Sequence, residues 1–375
     1  MRILHVITSL HTGGAETLVV NLMPRFKALG HEVGVVVFNG EHTALMKRLE
    51  KECPECKIFR LGTGYYNPWY IVKLIRIMRK YDVIHTHNSS PQLFAAIANI
   101  FCHKRLVTTE HNTNNRKRGN AILSMIDKWM YPRYDNVICI SEIAEEKLRG
   151  YLGDKCSVMS VECLDGKKTQ NRKLKTNIIT INNGVDVEAI HQAKEIEELK
   201  TDKFVVVMVA GFREAKDQDT VVKALSLLPK EQYEVWLVGD GVRKESVERL
   251  VLSLGLQGNV KFLGLRTDVP NILKTADAVV MSSHWEGLSL SNIEGMSAGK
   301  PFIASDVNGL REVTKGYGIL FPHEDAEALA AIIQHLHDNP DYYKEIADNC
   351  YKRAKQFDIS TMVSRYSDIY RETIR

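Results

Sequence analysis

The sequence predicts an α/β protein of two doubly wound domains that face each other across a deep cleft. Short, continuous hydrophobic runs alternate with amphipathic helical stretches, as in parallel sheets covered by helices on both faces. This pattern pauses at Asn183–Asp186, a turn-forming cluster, and then starts again. The length of 375 residues also favours two domains, since one core rarely grows beyond roughly 250–300 residues.

The first domain is predicted to cover residues 1–184. Its strands are the apolar runs Ile3–Ile7, Val33–Phe38, Lys57–Arg60, Val83–His85, Leu106–Thr109, Val137–Ile140 and Ile178–Ile181. Between them, helical spacing of apolar residues marks Ala15–Ala28, Trp69–Arg79 and Gln92–Phe101. The polar segment 156–177 lacks clear periodicity, and we interpret it as a loop insertion ahead of the last strand.

The second domain is predicted to cover residues 185–356. Its strands are Phe204–Val209, Val235–Val238, Val260–Phe262, Ala278–Met281, Pro301–Ala304 and Gly318–Leu320. Its helices are Asp217–Leu228, Val242–Leu254, Val269–Lys274, Ser291–Ala298, Ala326–Asp338 and Asp341–Gln356. A last helical pattern covers Ile359–Arg375. In such doubly wound sheets, ligands bind at the carboxyl ends of the strands, so the loops there should hold the chemistry.

Charge and hydropathy exclude several classes of protein. The net charge of +4 is too small for a nucleic-acid binder. No apolar run approaches the roughly 18–20 residues that cross a bilayer. We predict that Met1–Leu10 is a buried first strand and not a signal segment, because His5 interrupts its apolar run. The sequence therefore favours a cytoplasmic protein.

The cysteines do not predict a disulfide framework, since there are seven of them in a chain of this size. Cys53 and Cys56 have the spacing of a redox or zinc pair, but no further ligands stand nearby in sequence. We interpret them as surface thiols near a loop.

The segment Ser282–Pro301 follows a predicted strand and opens a helix. A helix N-terminus offers unpaired backbone N–H groups and a partial positive charge, which suit a phosphate. Glu286 lies in the loop and Glu294 about one turn into the helix, so their carboxylates suit two sets of hydroxyls on one extended ligand. Glu294 also fits a capping box with Ser291, and the spacing alone does not decide between the two roles.

The frame from Trp285 to Pro301, with Glu286 eight positions before Glu294, resembles the EX7E motif of family 4 glycosyltransferases. The resemblance runs through nearly the whole chain. The other similar segments are Gly13–Glu16, Asp82–Asn88, Thr109–Asn112, Ser141–Glu142, Asn183–Asp186, Val238–Gly241 and Phe262–Gly264. The family has two facing Rossmann-like domains, the type B fold, and the resemblance implies that residues 357–375 pack back on the first domain.

The resemblance also implies roles for individual residues. Glu286 would contact hydroxyls of the donor sugar, Glu294 the ribose hydroxyls, and His111 would lie beside the transferred sugar. Further donor contacts are implied for Gly211, Gly239, Leu265, Arg266, Gly287, Leu288 and Ser289, the last three through backbone amides that meet the diphosphate. On the acceptor side it implies Gly13, Gly14, Glu16, His87 and Ser141.

The positive clamp departs from the usual family pattern, Gly-Arg-x-x-x-x-Lys. Here Gly211 is followed by Arg213 and then Lys216, so the arginine stands three residues before the lysine instead of five. A leaving diphosphate needs cations whose contact strengthens as charge develops. We assign Lys216 and Arg213 to this role, with a surface salt bridge to Glu214 or Asp217 as the alternative for Arg213.

No metal or other cofactor is expected. Asp217 and Asp219 form a D-x-D, but they stand at a predicted helix start, where acidic residues cap backbone N–H groups. His85 and His87 share one face of a strand. Acceptor contact or ordinary packing is favoured for them over a metal pair, and the resemblance implies a metal-independent reaction.

The resemblance thus implies a retaining hexosyltransferase-type enzyme that moves sugar from a nucleoside-diphosphate sugar, with UDP favoured over GDP, to a hydroxyl acceptor. A lipid-linked saccharide of a surface polysaccharide fits, and a soluble acceptor stays open. The alternatives are a sugar-nucleotide epimerase or phosphorylase on the same fold, and a non-catalytic nucleotide-binding partner subunit.

Two basic regions bear on peripheral contact with an anionic membrane at the inner face. The region Tyr70–Lys80 mixes apolar residues with lysine and arginine, and Arg116–Arg118 precedes a helical stretch with Met125 and Trp129. Both regions suit shallow lipid contact. Both also suit a solvated helix face above core packing.

Overall fold

The computed structural model describes residues 1–11, 13–111, 120–153, 176–286 and 290–374. The chain forms two compact units, Met1–Asn183 with Ser360–Arg375, and Gly184–Ile359. The first division falls one residue before the predicted start of the second domain at 185. The second falls three residues after the predicted 356/357 boundary, so the last helix belongs to the first unit.

The first unit is built on a parallel sheet of seven strands in the order β3-β2-β1-β4-β5-β6-β7. The strands are β1 Arg2–Ile7, β2 Glu32–Asn39, β3 Lys57–Gly62, β4 Val83–His87, β5 Arg105–Glu110, β6 Asn136–Cys139 and β7 Asn177–Thr180. The helices are α1 Gly14–Ala28, α2 Ala44–Glu52, α3 Trp69–Met78, α4 Ser89–Cys102, α5 Ala121–Met130, α6 Glu142–Leu152 and, at the far end of the chain, α15 Ile359–Ile374.

The strand order of the first unit reverses between β1 and β4, which places a topological switch point there. The parallel register pairs His5 of β1 with His85 of β4. Because side chains alternate along a strand, His87 lies on the same face as His85. Three histidines therefore lie side by side at the switch point.

Helix α15 completes the core of the first unit. Tyr366 and Tyr370 on this helix are fully buried. The Tyr370 hydroxyl lies 2.5 Å from His85 Nδ1, and the Tyr366 hydroxyl lies 3.2 Å from Thr109 Oγ1. The last helix thus makes polar contacts with β4, at His85, and with β5, at Thr109.

The second unit has a parallel sheet of six strands in the order β10-β9-β8-β11-β12-β13. The strands are β8 Phe204–Val209, β9 Tyr233–Val238, β10 Val260–Gly264, β11 Ala278–Met281, β12 Phe302–Ser305 and β13 Ile319–Phe321. The helices are α7 Val187–His191, α8 Gln218–Ser226, α9 Lys244–Ser253, α10 Val269–Thr275, α11 Leu290–Ser297, α12 Leu310–Thr314, α13 Ala326–Asp338 and α14 Pro340–Ala354. Its strand order also reverses, between β8 and β11.

The chain enters and leaves the second unit at adjacent points. Val185 N donates to Phe357 O at 3.0 Å, and Ile359 N donates to Val185 O at 2.8 Å. A Cβ at Gly184 would lie 2.7 Å from Ile359 Cα, so only glycine fits this approach. The two crossing segments are thereby paired.

The prediction of two doubly wound α/β domains is confirmed, but the interpretation of Cys53 and Cys56 as surface thiols is wrong. Both thiols are buried, and burial raises the pKa of Cys56 to about 12. Cys56 N donates to Cys53 O at 2.9 Å, so the pair closes a turn between α2 and β3. Among the described residues, no helix is long and apolar enough to cross a membrane.

Candidate active site

Lys216 and Glu286 meet at the carboxyl edge of the second sheet. Lys216 follows β8 and Glu286 follows β11, and these strands are neighbours. The Lys216 ammonium forms an ion pair with the Glu286 carboxylate. The two side chains are only 15% and 18% exposed, so the pair is largely shielded from water. A cation and an anion predicted to bind different parts of one ligand thus contact each other directly.

Backbone hydrogen bonds fix the two loops that carry this pair. His284 N donates to Ala215 O at 3.0 Å, and Asp217 N donates to Ser282 O at 3.1 Å. Lys216 and Ser283 also form an isolated antiparallel bridge. The position of the ion pair is therefore set by the main chain.

Glu294 lies within α11, which begins at Leu290. Ser291 is therefore inside the helix and not at its N-cap, so the capping box does not form. The Glu294 side chain makes no hydrogen bond or ion pair with any residue that the structure describes, and burial raises its pKa. With the capping alternative removed, a ligand role is the better explanation for this carboxyl group.

Two buried polar side chains near the pair were not predicted from the sequence. Asn292 and Ser283 are fully buried, and neither amide atom of Asn292 nor Ser283 Oγ has a partner among the described residues. Buried polar groups are nearly always satisfied by protein, water or ligand, so each calls for an explanation. An asparagine at a core position of α11, two residues before Glu294, was the signal available in the sequence.

Arg213 is exposed and forms no ion pair with a described residue, so the alternative of a salt bridge to Glu214 or Asp217 is not formed. Its backbone N–H donates to Gly211 O at 2.9 Å. The guanidinium is therefore available near the first loop of the second unit. Gly287, Leu288 and Ser289 lie outside the described residues.

Three other predicted donor positions lie after β9 and β10. Gly239 has φ +139°, and a Cβ there would lie 2.3 Å from Ala210 O, so local packing alone requires glycine. Leu265 is 79% exposed. The Arg266 guanidinium binds both carboxylate oxygens of Asp268, at 2.8 and 2.6 Å. A contact with the nucleotide base would therefore fall to the backbone of Arg266.

The D-x-D pair serves local structure, as predicted. Asp217 caps α8, because its Oδ1 accepts from Thr220 N at 3.1 Å and its Oδ2 accepts from Ser282 Oγ at 2.9 Å. Asp219 pairs with Arg243 at 2.8 Å. Both oxygens of Asp217 are thus engaged by the protein, whereas Asp219 uses Oδ2 and its buried Oδ1 has no partner among the described residues.

The first unit brings together the histidines of three strands. His87 Nε2 lies 2.9 Å from His5 Nδ1, and His87 Nδ1 lies 3.0 Å from His111 Nε2. His111 follows β5 and is partly buried, whereas His5 and His87 are fully buried. Two predicted site residues, His87 and His111, are therefore in direct contact, and His5 is a third member that sequence reasoning missed.

Burial keeps these imidazoles uncharged. It lowers the pKa of His5 to about 3 and that of His111 to about 4, and it lowers the pKa of His87 well below its usual value. An imidazolium inside the sheet would lose its hydration without a counter-charge. The first unit therefore presents neutral hydrogen-bonding groups.

The glycine loop of the first unit is shaped by Glu16. A Cβ at Gly13 would lie 2.3 Å from Glu16 Oε2, and Asn88 Nδ2 donates to Glu16 Oε1 at 3.3 Å. Gly14 opens α1, and a Cβ there would meet nothing within 4 Å. Glu16 thus tethers the loop after β1 to the loop after β4.

The fifth acceptor-side position, Ser141, has a structural role. Its side chain caps α6 by accepting from Ala144 N at 3.2 Å, and it is buried. Nearer to His111, a polar cavity of 110 Å³ is lined by Asn88, Ser89, Gln92, Thr109, Glu110 and His111. The polar groups around this cavity come from the segment after β4 and from the carboxyl end of β5, and Ser141 is not one of its lining residues.

Within the part of the chain that the structure describes, two groups bring three metal-ligand atoms within 4.8 Å of one another: His5, His85 and His87, and His284, His323 and Glu324. In the first group, His85 Nδ1 lies 2.5 Å from the Tyr370 hydroxyl and Nε2 lies 2.8 Å from Thr109 Oγ1. Hydrogen bonds and ring stacking, with 4.5 Å between the centroids of His85 and His87, account for that packing.

Family models match both halves of the chain. The family described as Glycosyl transferases group 1 matches residues 189–357, and that described as Glycosyltransferase Family 4 matches residues 12–160. These matches follow the two structural units closely.

Two bacterial relatives and one solved structure are similar over most of the chain. An Escherichia coli UDP-Gal:alpha-D-GlcNAc-diphosphoundecaprenol alpha-1,3-galactosyltransferase is 24% identical over 336 residues, 80% of this chain and 78% of the relative. A Campylobacter jejuni N-acetylgalactosamine-N,N'-diacetylbacillosaminyl-diphospho-undecaprenol 4-alpha-N-acetylgalactosaminyltransferase is 24% identical over 374 residues, 94% of each chain. The crystal structure of Anabaena HepE in complex with UDP has a TM-score of 0.79 at 22% identity, covering 99% of this chain and 100% of that one.

Proposed function

This chain belongs to glycosyltransferase family 4, and from that premise we propose that it is a retaining, metal-independent hexosyltransferase. It transfers a sugar from a UDP-sugar to a hydroxyl of a lipid-linked saccharide. The observation that carries the proposal is the shielded Lys216–Glu286 ion pair after β8 and β11, together with Glu294 in α11, a carboxyl group with no partner among the described residues.

The second domain handles the donor. Glu286 accepts hydrogen bonds from hydroxyls of the sugar, and Glu294 accepts those of the ribose. The Lys216 ammonium, held next to Glu286 before the donor binds, contacts the diphosphate as negative charge develops on it. Such a cation stabilises the departing group more strongly in the transition state than in the ground state, and that difference accelerates the reaction. Arg213 adds a second cation.

The first domain handles the acceptor. His111 lies beside the transferred sugar and positions it, while the departing phosphate takes the proton of the acceptor hydroxyl on the same face. The protein then supplies orientation and charge stabilisation, and no side chain forms a covalent bond to the sugar. The configuration at the anomeric carbon is retained.

The lipid-linked acceptor is supported by the two relatives whose names specify diphospho-undecaprenol saccharides. It is also supported by the exposed apolar face of α5. Ile122 and Met125 are 66% and 67% exposed, and Arg133 lies over the ring of Trp129, which is 36% exposed, at 3.7 Å from its centroid. Apolar side chains with flanking cations suit the surface of an anionic membrane. We infer that the enzyme acts at that surface from the cytoplasmic side.

The test is a screen of the purified protein with UDP- and GDP-sugars, in the presence and absence of a diphospho-lipid saccharide. Transfer with retained anomeric configuration, read by NMR of the product, is the expected result. An isomerised nucleotide sugar would identify an epimerase, and consumption of inorganic phosphate would identify a phosphorylase. Nucleotide binding without turnover would identify a non-catalytic subunit.

The metal requirement is tested in the same assay. Turnover is expected to survive EDTA, because Lys216 and Arg213 replace the divalent cation at the diphosphate. Loss of activity that added Mn²⁺ restores would contradict this part of the proposal. The group of His284, His323 and Glu324 would then be the place to look for the ion.

A further inference from the structure

Three imidazoles form one continuous hydrogen-bonded chain in the first domain. It runs from His5 through His87 to His111, with nitrogen–nitrogen distances of 2.9 and 3.0 Å. His87, in the middle, uses both ring nitrogens. His111, at one end, reaches the polar cavity that it helps to line.

The number of protons fixes how these rings pair. Each neutral imidazole carries one N–H and one bare nitrogen. If His87 donates to His111 through Nδ1, its Nε2 must accept from His5. If His87 instead accepts at Nδ1, its Nε2 must donate to His5. The tautomers of the three rings therefore change together.

His5, at the inner end of the three hydrogen-bonded imidazoles, decides between these two arrangements. His5 Nε2 is buried and has no partner among the described residues. In the second arrangement this atom would carry a buried N–H without an acceptor, whereas in the first it is a bare nitrogen. Orphaned buried N–H groups are rarer than under-satisfied acceptors, which favours the first arrangement.

We propose that His87, held by His5, is a positioning residue that fixes His111 in the tautomer with its proton on Nδ1. Because His87 Nδ1–H donates to His111 Nε2, the Nδ1 of His111 carries the proton and can donate a hydrogen bond. Its chemical complement is an oxygen of the transferred sugar, and this consequence rests on the proposed function. The tautomer itself does not.

His85 belongs to a separate network and supplies an internal control. Its nitrogens contact the Tyr370 hydroxyl and Thr109 Oγ1, and neither bonds to His5, His87 or His111. Tyr370→Phe therefore removes a buried hydrogen bond from the same core and leaves the hydrogen bonds among His5, His87 and His111 in place. It matches the His87 variants in burial and differs from them in connectivity.

The direct measurement is ¹H–¹⁵N NMR of the imidazole nitrogens in the full-length wild-type protein at neutral pH. His111 is expected to show a protonated Nδ1 and a bare Nε2, with one tautomer populated. Protonated Nε2, or a mixture of both tautomers, would overturn the proposal. No activity is needed for this result.

Variants at His87 connect the tautomer to turnover. His87→Leu is expected to leave His111 in mixed tautomers and to lower kcat about tenfold or more, with a smaller change in KM for the donor. In His87→Asn the amide N–H takes the place of Nδ1–H, so this variant should restore one tautomer and most of kcat. Tyr370→Phe should leave the tautomer unchanged.

The outcomes distinguish the role of His87 from the contact of His111 with the sugar. A His87→Leu protein that keeps the Nδ1–H tautomer overturns the role of His87. A shifted tautomer with unchanged kcat overturns the contact of His111 with the sugar and leaves the hydrogen-bonded chain standing. If His87→Leu does not fold, the wild-type spectrum and His87→Asn still decide the question.

Discussion

The carboxyl edges of the two sheets are chemically opposite. The first domain has histidines whose pKa is lowered by burial, the fully buried His5 and His87 and the partly buried His111, whereas the second has a shielded ion pair, Lys216–Glu286. Neutral donors and acceptors orient a ligand through directional bonds. Full charges in a shielded site stabilise charge that develops during a reaction. Under the proposed function, this difference divides positioning and charge stabilisation between the domains.

Lys216→Ala tests the charged side of this comparison and should have the largest effect. Without the ammonium, the leaving diphosphate loses a preorganised cation, and kcat should fall by about 10²–10³. The measurement is donor turnover, with circular dichroism to verify the fold. Lys200→Ala, which breaks an exposed ion pair with Glu195 and Glu197 in the same domain, is the matched control. Full activity of Lys216→Ala would remove the basis of the assigned site.

Glu286→Gln keeps the shape of the side chain and removes its charge, so it separates hydrogen bonding from ion pairing. We expect kcat to fall by about 10²-fold, because the sugar hydroxyls lose a charged acceptor and Lys216 loses its partner. Steady-state kinetics with the identified donor give the value. Glu197→Gln, in the exposed pair with Lys200, should retain wild-type activity. Equal kinetics in the two variants would contradict the assignment.

Acidification should affect the two domains with opposite sign. The pKa of His5 is lowered to about 3 and that of His111 to about 4 in the folded protein. Below the pKa of an unfolded histidine, the unfolded chain therefore binds more protons than the folded first domain does. The contribution of these neutral histidines to the free energy of unfolding is fully present above the unfolded pKa of about 6.5. It falls as the pH drops toward 4, by about 1.4 kcal/mol per pH unit for each such histidine.

Glu294 behaves in the opposite way. Its pKa is raised in the folded state, so its contribution is fully present below its unfolded value and is lost as the pH rises through the folded one. Urea unfolding between pH 7.5 and pH 5, with proteolysis to identify the domain that opens, checks both signs. Earlier unfolding of the second domain in acid would contradict the expected difference between the domains.

Glu294→Gln should have the smallest effect, and it distinguishes the role of Glu294 from that of Glu286 in the same domain. Neutralising this partly buried group removes a desolvated charge, so the free energy of unfolding should rise by about 1 kcal/mol at pH 8. The KM of the donor should rise about three- to tenfold, because the ribose contact weakens. Thermal denaturation and donor titration measure the two changes. A more stable protein with an unchanged KM for the donor would contradict the ribose contact of Glu294.

The strands were predictable because buried parallel strands are written as continuous β-branched runs, such as Val33–Phe38 and Phe204–Val209. Helices α7 and α12, of five residues each, were missed because so short a segment carries no clear period. The burial of Cys53 and Cys56 was also missed, since packing under a neighbouring element leaves no trace in local spacing.

The site was predictable in its parts but not in its contacts. Glu286, Glu294 and Lys216 were chosen from motifs, yet Lys216 and Glu286 are 70 residues apart, and their pairing depends on β8 lying beside β11. His5 was read only as an interruption of an apolar run. Its role requires the register that sets it against His85, which spacing along one strand cannot reveal.

The return of the chain to the first unit has a consequence for biosynthesis. Residues 1–183 emerge from the ribosome first, but their core lacks Tyr366 and Tyr370 until α15 has been made. The second unit, closed by the pairing of Val185 with Asp358, is complete before that helix appears. Domains usually fold in the order of their synthesis. Here the domain that is translated first is the one that finishes folding last.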